Sequence, residues 1–223
     1  MISTVSPNHD QRENGVPLDM LVLHYTGMRS AEEAIERLTD PDSKVSAHYL
    51  IEQDGTLHQM VAEGRRAWHA GVAWWRGETN INARSIGIEL VNPGHEFGYQ
   101  PFPETQMEVL EELITDILSR HDIAARNIVG HSDVAPDRKT DPGELFDWQR
   151  LATKGIGLWA TESDFLDMSP EMVSVNLANY GYTTESLSLA VKAFQRHFRP
   201  ARVNGRIDAE TARLLTGLID NCE

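Results

Sequence analysis

His24, Glu89, His131, Lys139 and Asp141 have side-chain types and sequence settings that suit hydrolytic chemistry. His24 stands near the end of the apolar run MLVLHY (Met20 to Tyr25), and His131 directly follows Ile128-Val129-Gly130. Asp141 lies further along the same segment, GHSDVAPDRKTDPG (130–143). Two imidazoles and one carboxylate leave a fourth position for water, which is the ligand set of an open catalytic zinc site. Spacing alone carries little here, because the three groups are scattered along the chain and an isolated histidine is more often a surface or structural residue. Their setting carries more: both histidines close short strand-like runs, and α/β enzymes gather catalytic groups at strand ends. Glu89 sits inside the apolar run SIGIELV (Ser85 to Val91). A carboxylate there either faces solvent on an edge strand or serves as a general base with its proton affinity adjusted by burial. Lys139 precedes Asp141 by two residues. It is either a solvated loop lysine or a cation placed to stabilise an oxyanion.

These groups need elements to hold them. Met20 to Tyr25 reads as a strand ended by Thr26-Gly27. Ser30 to Leu38 reads as a helix, with Ser30 as N-cap and Glu33 completing a capping box. Ala47 to Glu52 and Thr56 to Val61 are strand-like runs around Asp54-Gly55, a hairpin turn signal. Ser85 to Val91 is the clearest buried strand, with Ile86, Ile88 and Leu90 on one face and Gly87, Glu89 and Val91 on the other. Pro103 to Arg120 has the periodicity of an amphipathic helix, Ile128 to Gly130 predicts a short strand running into a loop, and Phe146 to Leu151 begins a further helix. Strands mixed with helices across short turns predict an α/β domain over 1–160. Beyond about Leu158 the pattern turns helical: Glu171 to Tyr180, Ser186 to Phe198 and Asp208 to Ile219, the last with Asp208 as N-cap. This predicts a small three-helix domain over 161–223.

Composition removes several function classes. With 34 acidic against 20 basic residues and a formal net charge of -14, the surface repels phosphate backbones, so no nucleic-acid partner is expected. An anionic substrate must then be held by local features rather than by the overall field. Cys222 is the lone cysteine, which excludes an intrachain disulfide and a thiolate zinc site within one chain. No apolar run is long enough to span a membrane. The N-terminal segment has no basic start and no apolar stretch of a secretory leader, an expectation of cytoplasmic location. The chain contains neither an HExxH helix nor a GxSxG elbow, which argues against the commonest zinc peptidases and serine hydrolases.

Taken together, LVLHYTG (21–27), VSAHYLIEQDG (45–55), RAWHAGVAWWRG (66–77), NARSIGIELVN (82–92) and GHSDVAPDRKTDPG (130–143) closely resemble the N-acetylmuramoyl-L-alanine amidases of the amidase-2 type, in order and over roughly 18–157. That family is similar in fold to phage T7 lysozyme and the peptidoglycan recognition proteins. The resemblance therefore implies a mixed central β-sheet flanked by helices. It places His24, His131 and Asp141 on zinc ligands, Glu89 on the catalytic glutamate and Lys139 on the lysine beside the metal. His48 and His69 fall on motif positions that line the family's pocket, where they either support other groups or contact substrate, and Trp68 and Arg138 are further substrate-binding candidates. An aspartate third ligand, and Ala47 where the phage enzyme has tyrosine, point to the AmpD/AmiD branch acting on anhydro-muropeptides and peptidoglycan. The tail segment LSLAVKAFQRHFRPARVNGRIDAETARLLTGL (187–218) resembles a helical peptidoglycan-binding domain, in Ala190-Val191, Phe194-Gln195, Asn204-Gly205, Ile207-Asp208 and Thr211. Leu187, Val191, Phe194 and Leu214 are expected in its core. The implied reaction is hydrolysis of the amide joining N-acetylmuramic acid, including its anhydro form, to L-alanine. Zinc activates the attacking water, Glu89 is general base and then acid, and Lys139 stabilises the oxyanion. The alternative is a non-catalytic peptidoglycan-recognition protein. A wall-binding tail also makes the periplasm or envelope the alternative location.

Overall fold

The polar N-terminal arm is ordered: it forms β1 (Ile2–Ser3) and β2 (His9–Gln11) in the computed structural model, which describes residues 1–222. The arm is followed by β3 (Met20–Tyr25), then α1 (Ala31–Thr39). Ser30 caps α1 by accepting from the Glu33 N–H. Glu33 in turn reaches the Arg29 N–H at 3.1 Å, one residue earlier than a capping box requires. β4 (Tyr49–Ile51) and β5 (Leu57–Gln59) pair antiparallel around Asp54-Gly55, where Gly55 adopts φ +87° and Asp54 accepts the Thr56 N–H. Next come β6 (Arg65–Ala67), which pairs with β2, α2 (Ile81–Arg84) and β7 (Ser85–Leu90). The chain continues through α3 (Gly94–Phe97), the long α4 (Glu104–Arg120) and β8 (Ile128–Gly130).

After β8 the structure departs from the expected loop. Residues His131–Val134 form one helical turn, α5, because the Asp133 carboxylate folds back to accept the Gly130 N–H at 2.7 Å. Asp133 thus satisfies a backbone donor at the start of the turn, which the sequence pattern alone did not reveal. α6 (Trp148–Thr153) follows, capped by Asp147.

The principal sheet has the order β1-β5-β4-β7-β3-β8 and is mixed, with β4–β5 antiparallel and the other pairs parallel. Strands β3 and β7 are interior strands of this sheet, buried on both faces, which explains their near-continuous apolar character. Alternation along the pleat sends Leu21, Leu23, Ile86, Ile88 and Leu90 against Leu110, Ile114 and Ile117 of α4 and Leu151 of α6. Met20 and Val22 point to the opposite face. Helices α7 (Pro170–Tyr180), α8 (Leu187–Phe198) and α9 (Ala209–Asp220, capped by Asp208) form the expected helical tail. Val173, Leu177, Phe194, Phe198, Leu215 and Leu218 of this tail join Met20, Val22 and Val129 in one apolar cluster. The tail's core is therefore continuous with the second face of the sheet. Val191 and Phe194 are fully buried, and Leu187 and Leu214 pack against them, as their helical spacing predicts. Among the described residues no helix is long and apolar enough to cross a membrane.

Candidate active site

Three strands and two loops converge on one buried point. His24 leaves β3 on the same face as Met20 and Val22, and the parallel register sets it opposite Glu89 of β7. β8, on the other side of β3, delivers His131 as the first residue of α5. The loop that follows returns Asp141 to this turn through a 2.8 Å bond from the Ser132 N–H to the Asp141 carbonyl. As a result His24 Nδ1 lies 3.0 Å from His131 Nδ1 and 3.1 Å from Asp141 Oδ2, while His131 Nδ1 lies 3.0 Å from Asp141 Oδ2. All three residues are buried.

Hydrogen-bond partners decide which nitrogens carry protons. His131 Nε2 is 3.0 Å from the Ala70 carbonyl, which can only accept, so Nε2 is protonated and Nδ1 is the nitrogen that offers a lone pair to a metal. Ser85 Oγ donates to the Ile81 carbonyl at 2.6 Å and therefore accepts from His69 Nε2 at 3.1 Å. His69 Nδ1 must then accept from His24 Nε2 at 3.0 Å, leaving His24 Nδ1 unprotonated. Burial, above all other causes, lowers the pKa of His24 to about 4 and that of His69 well below its ordinary value, so both rings are neutral near pH 7. Two imidazole Nδ1 atoms and a carboxylate oxygen thus crowd together within 3.1 Å of one another. That arrangement fits a divalent cation with nitrogen and oxygen ligands, and the outer bonds to Ala70 and His69 orient the rings for it.

Glu89 faces this point with its Oε2 buried and without a hydrogen-bond partner. Burial raises its pKa to about 8, the negative charge of Asp141 adds to the rise, and Lys139 opposes it. A dication at the triad acts in the same sense as Lys139, favouring the carboxylate. Lys139 lines the cavity together with Glu89, His69, Trp68, Arg138 and Thr140. This cavity of about 390 Å³ also takes in His24, His131 and Asp141.

The other expected contact residues fall in different places. His69 lines the cavity and buttresses His24. Trp68 lines it too, held by a 3.3 Å bond from its indole N–H to Asp10 of the N-terminal arm. Arg138 reaches the rim, where its guanidinium donates to the Ala70 and Val72 carbonyls. His48 does not reach the cavity. It is fully buried, accepts the Gly87 N–H at Nδ1 (3.0 Å) and faces the Arg65 carbonyl through Nε2 (3.0 Å), so both nitrogens serve the backbone of β7 and β6. The structure thus places His48 behind the cavity wall rather than among the lining residues.

Sequence reasoning passed over Ser85, Gly87 and Asp133. Ser85 and Gly87 share a β-strand face with Glu89, a period-two signal that was available. A methyl group at Gly87 would overlap the His69 ring, so glycine here makes room for the histidine behind His24. Asp133 gave no signal, because its partners lie far away in sequence.

Comparison with known proteins agrees with this geometry. The family model described as N-acetylmuramoyl-L-alanine amidase matches residues 14–144. The N-acetylmuramoyl-L-alanine amidase AmiD of Escherichia coli is 37% identical over 231 residues, covering 91% of this chain and 83% of that protein. The 1,6-anhydro-N-acetylmuramyl-L-alanine amidase AmpD of Haemophilus influenzae is 36% identical over 163 residues, covering 65% of this chain and 86% of its own. The solved complex of the Escherichia coli amidase AmiD with its substrate anhydro-N-acetylmuramic acid-L-Ala-D-gamma-Glu-L-Lys superposes with a TM-score of 0.83 at 35% identity, covering 95% of this chain and 92% of that one. A family match over more than half the chain, together with relatives that extend through its tail, leads to one assignment: this protein belongs to the N-acetylmuramoyl-L-alanine amidase family of the amidase-2 type.

Proposed function

We propose that the protein is a zinc-dependent amidase that hydrolyses the bond between N-acetylmuramic acid, including its anhydro form, and the L-alanine of a stem peptide. The observation that carries this reading is the meeting of His24 Nδ1, His131 Nδ1 and Asp141 Oδ2 within 3.1 Å, with the unpartnered Glu89 carboxylate facing them. These three residues would hold zinc, which when bound supplies a Lewis acid for a water and for the scissile carbonyl. Glu89 accepts the proton of the attacking water and passes it to the departing alanine nitrogen. The burial that raises its proton affinity suits both halves of that transfer. Lys139 stabilises the negative charge that builds on the carbonyl oxygen. His69 keeps the His24 ring in the tautomer that presents Nδ1. Trp68 offers a flat apolar wall to substrate, and Arg138 a cationic rim. With Arg37 and Lys139 also lining the cavity, cations stand at the mouth of an otherwise acidic protein, and muropeptides carry carboxylates.

Supporting the substrate class, the relative AmiD was solved with an anhydro-muropeptide. The same reading takes residues 1–160 as the catalytic domain and 161–223 as a helical peptidoglycan-binding module. Sedimentation of the protein with insoluble peptidoglycan, compared with surface variants of α9, tests the module. The catalytic reading is tested by removing metal with a chelator, verifying its loss by elemental analysis, and following anhydro-muropeptide cleavage by mass spectrometry. Activity should vanish and return with stoichiometric zinc. Hydrolysis at full rate by verified metal-free protein overturns the proposal, and absence of cleavage with zinc bound favours a recognition protein instead.

A further inference from the structure

Asp133 is a buried carboxylate, 1% exposed, two residues beyond His131 on the same helical turn. Ionised carboxylates are rarely buried so fully unless several donors meet them. Here there are three. Oδ2 accepts the Gly130 N–H at 2.7 Å and His197 Nδ1 at 2.8 Å, and Oδ1 accepts the Tyr182 hydroxyl at 2.9 Å. Only the first of these donors belongs to the catalytic part of the chain. The other two come from the helical tail: Tyr182 just after α7, and His197 near the end of α8. Both tail residues are buried, Tyr182 at 2% and His197 at 3% exposure. The His197 ring also stacks on Trp148 of α6, with ring centroids 3.8 Å apart and planes 16° from parallel. Its place is thus fixed by packing as well as by the bond.

The turn clamped in this way carries more than one part of the site. His131 begins it, and the Ser132 N–H fixes the backbone of Asp141. On the far side, the Val134 carbonyl accepts the Trp74 N–H at 2.7 Å, tying the turn to the segment that includes Ala70 and Val72. Two of the three converging ligands therefore hang on α5, and α5 is held from beneath by a carboxylate whose side-chain donors are supplied by the tail.

We propose that Tyr182 and His197 are positioning residues for the metal site, so that the helical tail is a working part of the catalytic centre and not only an attachment for polymer. They act through Asp133 and α5 on His131 and Asp141. This rests on the zinc reading above but goes beyond it, since a wall-binding module has no need to touch the ligand-bearing turn.

The test uses the full chain. Tyr182→Phe removes one oxygen and keeps the packing; His197→Ala removes donor and ring; His197→Asn restores an amide donor near the Nδ1 position. Zinc affinity is measured by competition with a chromophoric chelator, alongside kcat, KM and thermal unfolding. Outer-shell partners of metal ligands typically shift metal affinity about 10- to 100-fold. Acting one step further out, Tyr182→Phe and His197→Ala should each weaken zinc binding about tenfold and lower kcat, with KM little changed and His197→Asn recovering part of the loss. A merely structural role lowers the unfolding temperature but leaves zinc affinity alone. Affinities within twofold of wild type in the folded variants overturn the inference while leaving the amidase reading intact, and wild-type protein that binds no zinc overturns both. If His197→Ala does not fold, Tyr182→Phe decides the matter.

Discussion

His24 and Glu89 occupy the same rung of the parallel β3–β7 pairing, their Cα atoms directly partnered in the register. The proposed metal ligand and the proposed proton carrier are thereby fixed to each other by sheet hydrogen bonds, with no loop between them. A one-residue slip of this pairing would turn one of the two side chains to the opposite face.

The first expectation concerns Glu89. Glu89→Gln keeps the volume and the polar head but cannot take up a proton. The loss of general-base catalysis should lower kcat by about 10²- to 10⁴-fold. Zinc content and KM should stay near wild type, because Glu89 makes no hydrogen bond to the three ligands. Steady-state kinetics on an anhydro-muropeptide with metal analysis checks this, and a variant retaining more than a tenth of kcat removes Glu89 from the mechanism.

Gly87 makes a steric prediction. Its position is held against the His69 ring, with no space for a Cβ. Gly87→Ala should cost about 1–3 kcal/mol of stability through overpacking. It should also weaken zinc binding, because the displaced His69 no longer orients His24. Chemical denaturation and chelator competition read the two effects separately; an unperturbed variant would show that the backbone relaxes freely at this point.

Ser85 makes a chemical one. Ser85→Ala removes the acceptor of the His69 Nε2 proton in a buried setting. Leaving that donor unpaired should cost about 1–3 kcal/mol. It also releases His69 to the other tautomer, which turns an N–H towards His24 and disfavours the metal-binding form of that ring. Nitrogen chemical shifts of the imidazoles should show the change of tautomer, and unchanged shifts would undo the proton assignment made above.

A pH effect on stability arises far from the site, at Glu63. Burial acts to raise its pKa, but bonds from Arg120, His121 and Tyr49 outweigh it and hold the value at about 2, against an ordinary 4.5. A depressed carboxylate contributes stability that is complete above its unfolded value and is lost as pH falls through its folded value. The window here runs from about 4.5 down to about 2. Glu63→Gln should therefore destabilise the protein at neutral pH by about 1 kcal/mol, since Arg120 is partly solvated and screened. The difference from wild type should shrink as pH drops through that window. Urea denaturation at several pH values checks it, and a pH-independent difference would assign the effect to packing.

The amino-acid sequence by itself marked the central strands, the longer helices and the residues whose types suit hydrolytic chemistry. Periodicity in SIGIELV placed Glu89 opposite the apolar face of its strand, capping residues marked α1 and α9, and Asp54-Gly55 marked the hairpin. Such signals are local: they depend on residues a few positions apart. What only the tertiary structure decided depends on pairs distant in the chain. The proton order from Ile81 through Ser85 and His69 to His24 joins positions 24 and 85 through a register that no local pattern encodes. Of the two places open to His48, the structure shows it behind the cavity wall, where two backbone groups engage its nitrogens. The turn at α5 and its tether to the tail depend on Asp133 meeting Tyr182 and His197 across more than 45 residues of sequence. A buried carboxylate chooses its partners by proximity in space, so its role became legible only once the helices had closed over the second face of the sheet.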